Sequence, residues 1–134
     1  MVRELVSRRT LMMATASLSV GVAGCLSDGT CETVVNGTET VERNDLRVYD
    51  AEANPGQRLY VRLRRLDGPP ARLGVFDPEE EPLVELQDVE RLERIFEIPD
   101  SGTYSVVTEN DSTADVGQWL TTVAVYQGWC PDVF

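Results

Sequence analysis

The chain has 134 residues, and its charge is strongly biased: all twelve basic residues are arginine, and twenty-three acidic residues give a net charge of −11 at pH 7. Histidine and lysine are absent, which excludes Ser-His-Asp and Cys-His catalysis, lysine nucleophiles and a histidine-ligated haem. A surface this acidic also argues against nucleic acid as a partner, because phosphate backbones are bound by basic surfaces.

The N-terminal stretch combines two arginines, Arg8 and Arg9, with an apolar run from Leu11 to Gly24 that ends at Cys25. Fourteen residues are too few to cross a bilayer core as a helix, which takes about 20. An amphipathic N-terminal helix is the alternative, but the run has no charged face. The stretch resembles a twin-arginine export signal joined to a lipobox, as in a secreted lipoprotein.

That resemblance divides the chain into three parts. Residues 1–24 would be a signal peptide, residues 25–30 a lipidated Cys25 with a short tether, and residues 31–134 one folded domain. Two lipid chains anchor a protein stably, which implies a protein held on the extracellular face of the cell membrane without spanning it. Without residues 1–24 the net charge would be −13. Such a lysine-free, acidic chain is similar to the proteins of salt-adapted archaea, with an acidic protein from moderate salt as the alternative.

The cysteine count predicts one disulfide. If Cys25 carries lipid, Cys31 and Cys130 remain, and an even pair in an oxidising exterior usually closes a bridge. A zinc site is the competing reading, but it cannot be completed without histidine or a second cysteine pair.

From residue 31 onward the chain predicts strands. Leu59, Val61 and Leu63 alternate with Tyr60, Arg62 and Arg64, which is typical of a half-buried antiparallel strand. The same texture recurs near Leu46, Leu73, Leu92, Tyr104 and Leu120–Tyr126, with Pro- and Gly-containing turns between. A helix over Val89–Phe96 is the alternative for one segment, and the alternation there favours a strand. The predicted fold is an all-β antiparallel sandwich, jelly-roll-like.

Three short motifs carry a family resemblance: Pro55-Gly56-Gln57-Arg58-Leu59, Val75-Phe76-Asp77-Pro78 and Pro99-Asp100-Ser101-Gly102-Thr103-Tyr104. They resemble the Golgi-dynamics type and the bacterial pre-peptidase C-terminal type of β-sandwich over residues 46–126. Glu79-Glu80-Glu81 departs from that pattern, because these families often have a glycine turn there. The resemblance implies a binding or accessory module at a surface and brings no catalytic residues.

Carboxylates are the remaining source of chemistry. Asp77, Glu79, Glu80 and Glu81 surround one turn and could hold calcium, although a solvated loop is the common reading of such a run. The other acidic loop, residues 111–115, is a weaker calcium candidate. A glycosidase pair needs only two carboxylates, but no cleft motif points to one.

Sequons and exposed side chains complete the predicted surface. Asn36-Gly37-Thr38 and Asn110-Asp111-Ser112 predict glycosylation, Asn36 in preference to Asn110. For Trp119 the sequence does not decide between core packing and a sugar-stacking surface. Trp129 is expected to pack on the disulfide rather than to stack on sugars. Arg62 and Arg64 share a strand face and are expected to pair with neighbouring carboxylates rather than to capture an anion.

The sequence therefore predicts a non-catalytic surface lipoprotein that binds a surface protein or a glycan and needs no cofactor. The alternative is a calcium-dependent carbohydrate-binding or hydrolytic domain.

Overall fold

A computed structural model of the chain describes residues 30–130. The predicted signal peptide with Arg8 and Arg9, and the predicted lipid site Cys25, lie outside these residues, so export and anchoring stay predictions. Within the described range no helix is long and apolar enough to cross a membrane. The secondary structure there consists of eight strands: β1 Thr30–Val41, β2 Asp45–Ala53, β3 Arg58–Asp67, β4 Ala71–Phe76, β5 Pro82–Val89, β6 Arg91–Glu97, β7 Gly102–Asn110 and β8 Gly117–Gln127.

The eight strands form two antiparallel four-stranded sheets that pack as a sandwich. Sheet A has the order β1-β8-β3-β6 and sheet B the order β2-β7-β4-β5. The chain crosses between the sheets at most connections, which is the double Greek-key arrangement of a jelly roll. Both sheets are open, and the strands at their edges are β1, β6, β2 and β5. The predicted all-β sandwich is confirmed.

The core lies between the inner faces of the two sheets. Leu59, Val61 and Leu63 of β3 are fully buried, as their alternation predicts, and Val75 and Val106 fill the facing side of sheet B. Full burial of a side chain of this size contributes about 1.5–3 kcal/mol. The alternating sequence therefore fixes which side of each central strand faces the core.

Two edge strands show this alternation incompletely. β1 has a bulge between Thr33 and Val35, which shifts the side of the sheet on which the following side chains lie. β5 alternates at its centre, where Val84 and Leu86 pack against the core, but most of its other residues are exposed. Neither strand therefore repeats the pattern of the central strands over its full length.

The segment with two possible readings, Val89–Phe96, is a strand. Residues Arg91–Glu97 form β6 and pair with β3, with Leu92 opposite Leu63 and Phe96 opposite Leu59. Leu92 and Phe96 pack against the core from this edge. The helix alternative is wrong, because pairing with β3 outweighs the helix preference of the glutamates and arginines.

The predicted bridge between Cys31 and Cys130 is present. It joins residues 99 apart in sequence, with Cα atoms 5.4 Å apart. Cys130 is fully buried and forms a second small cluster with Tyr60 and Tyr126, against which Cys31 packs. The bridge thus joins the start of β1 to the segment after β8 and helps to bury part of the outer face of sheet A.

The two tryptophans lie in opposite environments. Trp119 is fully buried, and its indole Nε1 donates a hydrogen bond to the Pro69 carbonyl over 3.1 Å. Trp129 is 72% exposed, so the expectation that it packs on the disulfide is wrong. The two tyrosines of the small cluster pack there instead, since they are held in place by β3 and β8.

Candidate functional site

A hollow on the outer face of sheet B is the candidate binding site. It has a volume of about 190 Å³ and lies over β4, between β5 and β7. At its centre Gly74 is flanked by Glu85 of β5 and Val107 of β7. We call it the Gly74 hollow; its lining residues are Arg72, Leu73, Gly74, Phe76, Glu85, Leu86, Gln87, Val107 and Glu109.

Gly74 leaves room for the ring of Phe76 on the outer face of β4. A Cβ atom built on Gly74 would lie 2.7 Å from Cε2 of Phe76, closer than two carbon atoms can approach. The Phe76 ring therefore lies against the strand and forms one apolar side of the hollow. A glycine inside a strand often marks such a close approach.

Charged and amide side chains form the rest of the rim. Arg72 Nη1 lies 3.4 Å from Glu109 Oε1, and both side chains are partly exposed. Glu85 and Gln87 complete the rim from β5. Carboxylates accept hydrogen bonds, the guanidinium donates them and the amide does both. With two acids and one base, the rim suits a neutral ligand rather than an anion.

The size of the hollow limits what it can hold. Pockets for drug-sized ligands usually measure about 300–1,000 Å³, so this one fits a single ring or one side chain of a larger ligand. Residues 30–130 contain no group of three or more Cys, Asp or Glu side chains arranged to hold a metal ion. The arrangement can bind a small hydroxyl-rich unit by hydrogen bonds and by contact with the Phe76 ring.

The predicted calcium turn has another local role. Asp77 Oδ1 accepts hydrogen bonds from the backbone N–H groups of Glu79 and Glu81, each over 2.9 Å. Its own N–H donates to the Glu81 carbonyl over 2.9 Å, and Glu80 takes a positive φ of 65°. Asp77 thus organises the β4–β5 turn. The structure does not gather the four predicted side chains into a ligand set, and calcium binding stays an untested prediction.

The two sequons differ sharply in exposure. Asn36 is exposed on β1, where its Oδ1 accepts a hydrogen bond from Thr122 Oγ1 over 3.0 Å. Asn110 is fully buried, and its Nδ2 donates to the carbonyls of Val41 and Asp115 over 3.0 and 2.9 Å. A glycan would have to be attached to that nitrogen, so the burial of Asn110 argues against a glycan there, and glycosylation of Asn110 stays a prediction. Asn36 stays a predicted site.

Sequence analysis did not identify the Gly74 hollow. Arg72 and Glu109 are far apart in the chain and become neighbours only through the pairing of β4 with β7, and Glu85 joins them only through the pairing of β4 with β5. The available signal was Gly74 itself, a glycine between the apolar residues Leu73 and Val75 of a strand.

No protein-family model and no curated protein matches the chain. Solved β-sandwich structures do resemble it. The pre-peptidase C-terminal domain of the collagenase from Bacillus anthracis has a TM-score of 0.50 and 11% identity, covering 68% of this chain and 89% of that domain. PliG from Aeromonas hydrophila, a periplasmic inhibitor of g-type lysozyme, has a TM-score of 0.44 and 17% identity, covering 74% and 84%. PliG from Salmonella Typhimurium has a TM-score of 0.43 and 13% identity, covering 75% and 87%.

Identity this low shows a shared fold and nothing about ligands. The collagenase domain supports the sandwich fold that the three turn motifs predict.

Proposed function

We propose that this chain is an exported, lipid-anchored surface protein whose sandwich is a non-catalytic binding module. The observation that supports it is the Gly74 hollow, which combines an aromatic side with hydrogen-bonding groups of both kinds. We propose that it receives one neutral sugar unit of a glycan, because paired hydroxyls suit the carboxylate and guanidinium groups of the rim and the apolar side of a sugar ring suits Phe76.

Export is supported by the Cys31–Cys130 bridge, since disulfides persist in oxidising compartments and are rare in the cytosol. Anchoring rests on the sequence pattern around Cys25. Mass spectrometry of the protein from membranes tests it: we expect a first residue at Cys25 that carries lipid. A Cys25→Ser variant should appear uncleaved or in the medium, and an unmodified residue 25 on membrane-bound protein would refute anchoring.

Ligand binding is tested by NMR on the ¹⁵N-labelled chain, titrated with neutral mono- and disaccharides to millimolar concentration. We expect the largest shift changes at the amides of Gly74, Glu85 and Gln87. Glu85→Gln and Phe76→Ala should weaken binding by about tenfold each, since each removes a contact worth on the order of 1 kcal/mol or more. Glu42→Gln, in the exposed β1–β2 turn, is the matched control. Shift changes confined to other surfaces would refute the site.

A hydrolytic role is the second candidate, because two carboxylates, Glu85 and Glu109, line the same hollow. Glu109 is already engaged in an ion pair with Arg72, whereas glycoside hydrolysis needs both carboxylates at the scissile bond. Incubation with fluorogenic glycosides separates the two functions. Turnover that is lost in Glu85→Gln would establish hydrolysis, and binding without turnover would establish the module.

A further inference from the structure

Three arginines converge on the outer face of sheet A. Arg62 and Arg64 lie on β3 at positions that alternate with the buried residues Val61 and Leu63. Arg91 of β6 lies directly opposite Arg64 in the register. Since paired strands lie about 5 Å apart and alternate residues on one strand about 7 Å apart, the three side chains share one small area. We call this area the arginine face.

Their arrangement is unfavourable in the free protein. Like charges directly opposite each other across two strands are destabilising. The sequence predicts that Arg62 and Arg64 pair with carboxylates, and this is wrong: in residues 30–130, the arginines in salt bridges are Arg47, Arg58, Arg65 and Arg72.

The carboxylate nearest to this area is already engaged. Glu93 lies opposite Arg62 in the register, and it accepts a hydrogen bond from the hydroxyl of Tyr60. The Tyr60 hydroxyl also interacts with the Arg62 side chain. Arg64 and Arg91, both exposed, therefore keep guanidinium groups directed to solvent in a chain whose net charge is −11.

We propose that the arginine face binds the sulfate or carboxylate groups of an acidic polysaccharide. A guanidinium group presents its N–H donors as a fork that matches an oxyanion, and such charge-assisted pairs are among the strong hydrogen bonds. An oxyanion between Arg64 and Arg91 replaces their repulsion with two attractive contacts. This site lies on the opposite sheet from the Gly74 hollow. It takes an anionic ligand, whereas the hollow suits a neutral one, so the two proposed sites are independent.

The surroundings of the arginines favour a polysaccharide over an acidic protein. The side chains that share this side of sheet A include the half-buried Leu120, opposite Arg64, but most are short hydroxyls and amides, which suit a hydrated polymer: Asn36, Thr38 and Thr40 on β1, and Gln118 and Thr122 on β8. Protein interfaces usually have an apolar or aromatic centre. Here the apolar residues are separated: Leu120 is half-buried beside Arg64, and the exposed Ile95 lies four positions along β6 from Arg91. They form no continuous apolar centre between the arginines.

Binding of the full chain to immobilised dextran sulfate, polygalacturonate, poly-L-glutamate and neutral dextran tests the proposal. We expect binding to both acidic polysaccharides and none to neutral dextran. The double variant R64Q/R91Q should bind the acidic polysaccharides about tenfold or more weakly, because it removes two charge-assisted contacts. Its melting temperature should not fall, because the substitution also removes the repulsion between the two guanidinium groups.

The matched control is R43Q/R94Q, which changes the charge equally at two exposed arginines. Arg43 lies in the β1–β2 turn, and Arg94 lies opposite Val61, on the other side of sheet A. We expect this control to bind like the parent. An equal loss in both variants would show a net-charge effect, and no loss in R64Q/R91Q would show that the face does not bind; either overturns the proposal. Binding to poly-L-glutamate as tight as to the polysaccharides would assign the face to an acidic protein and overturn the polysaccharide.

Discussion

At the scale of single residues, the fold depends on a few buried polar side chains that hydrogen-bond to backbone groups of neighbouring segments. Asn110 at the end of β7 donates to Val41 and Asp115 and accepts from the N–H of Ser112 over 3.0 Å. It joins the end of β1 to the loop that leads into β8. Gly68 has a similar fixed role, since its φ is 76° and a Cβ there would lie 2.1 Å from the Val116 carbonyl oxygen.

Replacement of the two sequon asparagines should have very different effects. We expect Asn110→Ala to lower the free energy of unfolding by about 2–3 kcal/mol, because it leaves two buried carbonyls without their donor. Asn36→Ala removes one partly exposed hydrogen bond and should cost less than about 1 kcal/mol. Chemical denaturation of both variants measures this difference. Equal losses would contradict the described roles.

Glu32 gives the stability a pH dependence. Burial, and then the nearby Glu52 carboxylate, raise the pKa of Glu32 above its usual 4.5. The folded state therefore holds this proton more tightly than the unfolded state does, which adds stability below pH 4.5 that is lost as the pH rises through the folded pKa. We expect Glu32→Gln to raise the melting temperature at pH 7 and to match the parent below pH 4.5. Glu42→Gln, in an exposed turn, is the control and should show no such pH dependence.

At the scale of elements, the disulfide fastens the first strand to the segment that follows the last. Cys31 opens β1, which is an edge strand, and Cys130 follows β8, its neighbour in sheet A. The bridge also packs on Tyr60 and Tyr126. The burial of Tyr60, and then its hydrogen bond to Glu93, raise the pKa of the Tyr60 hydroxyl.

Loss of the bridge should lower stability strongly. In the chain-entropy account a closed loop of about 100 residues contributes up to about 4.7 kcal/mol. We expect the double variant C31S/C130S to lose about 3–5 kcal/mol and the non-reduced parent to melt well above the reduced one. Cys25→Ser should leave the melting temperature unchanged, and a drop as large as that of C31S/C130S would contradict the pairing.

The sequence predicts elements well where one face of a strand is buried. Leu59, Val61 and Leu63 alternate with polar residues and lie as predicted, whereas β1 is bulged and β5 alternates only over residues 84–87. Counting cysteines predicted the bridge, because with Cys25 assigned to lipid one pair remained, Cys31 and Cys130. The Gly74 hollow and the arginine face arise from residues that only sheet register brings together, which no local pattern contains. The exposure of Trp129 could not be predicted, because it depends on which side chains pack beside Cys130, and these are Tyr60 and Tyr126.

At the scale of the whole molecule, charge is distributed unevenly over the sandwich. Among the described residues, the end of the sandwich where residues 30 and 130 lie has eight acidic residues and one arginine: Glu32, Glu52, Asp77, Glu79, Glu80, Glu81, Glu97, Asp100 and Arg58. The arginine face, by contrast, has three arginines. Repulsion within the acidic end opposes folding in dilute buffer.

Salt should therefore stabilise the protein. The Debye length falls from about 10 Å at 0.1 M to about 3 Å at 1 M salt, so we expect the melting temperature to rise over this range and β structure to weaken below it, as measured by circular dichroism. Calcium chloride at matched ionic strength tests the calcium prediction separately. Since Asp77 is engaged by the backbone of its turn, we expect no larger rise than with sodium chloride. An excess rise with calcium, lost in Glu80→Gln, would establish a metal site.

The position of the disulfide also determines how the sandwich bears mechanical load. A force applied through the N-terminal end enters the fold at β1, and an edge strand of this kind is the one that peels away first when it is held by hydrogen bonds alone. Here the peeling would have to begin at Cys31, which is covalently joined to the segment after β8. Tension applied at the start of β1 is consequently shared by two neighbouring strands of sheet A, which keeps the sandwich from opening at this edge.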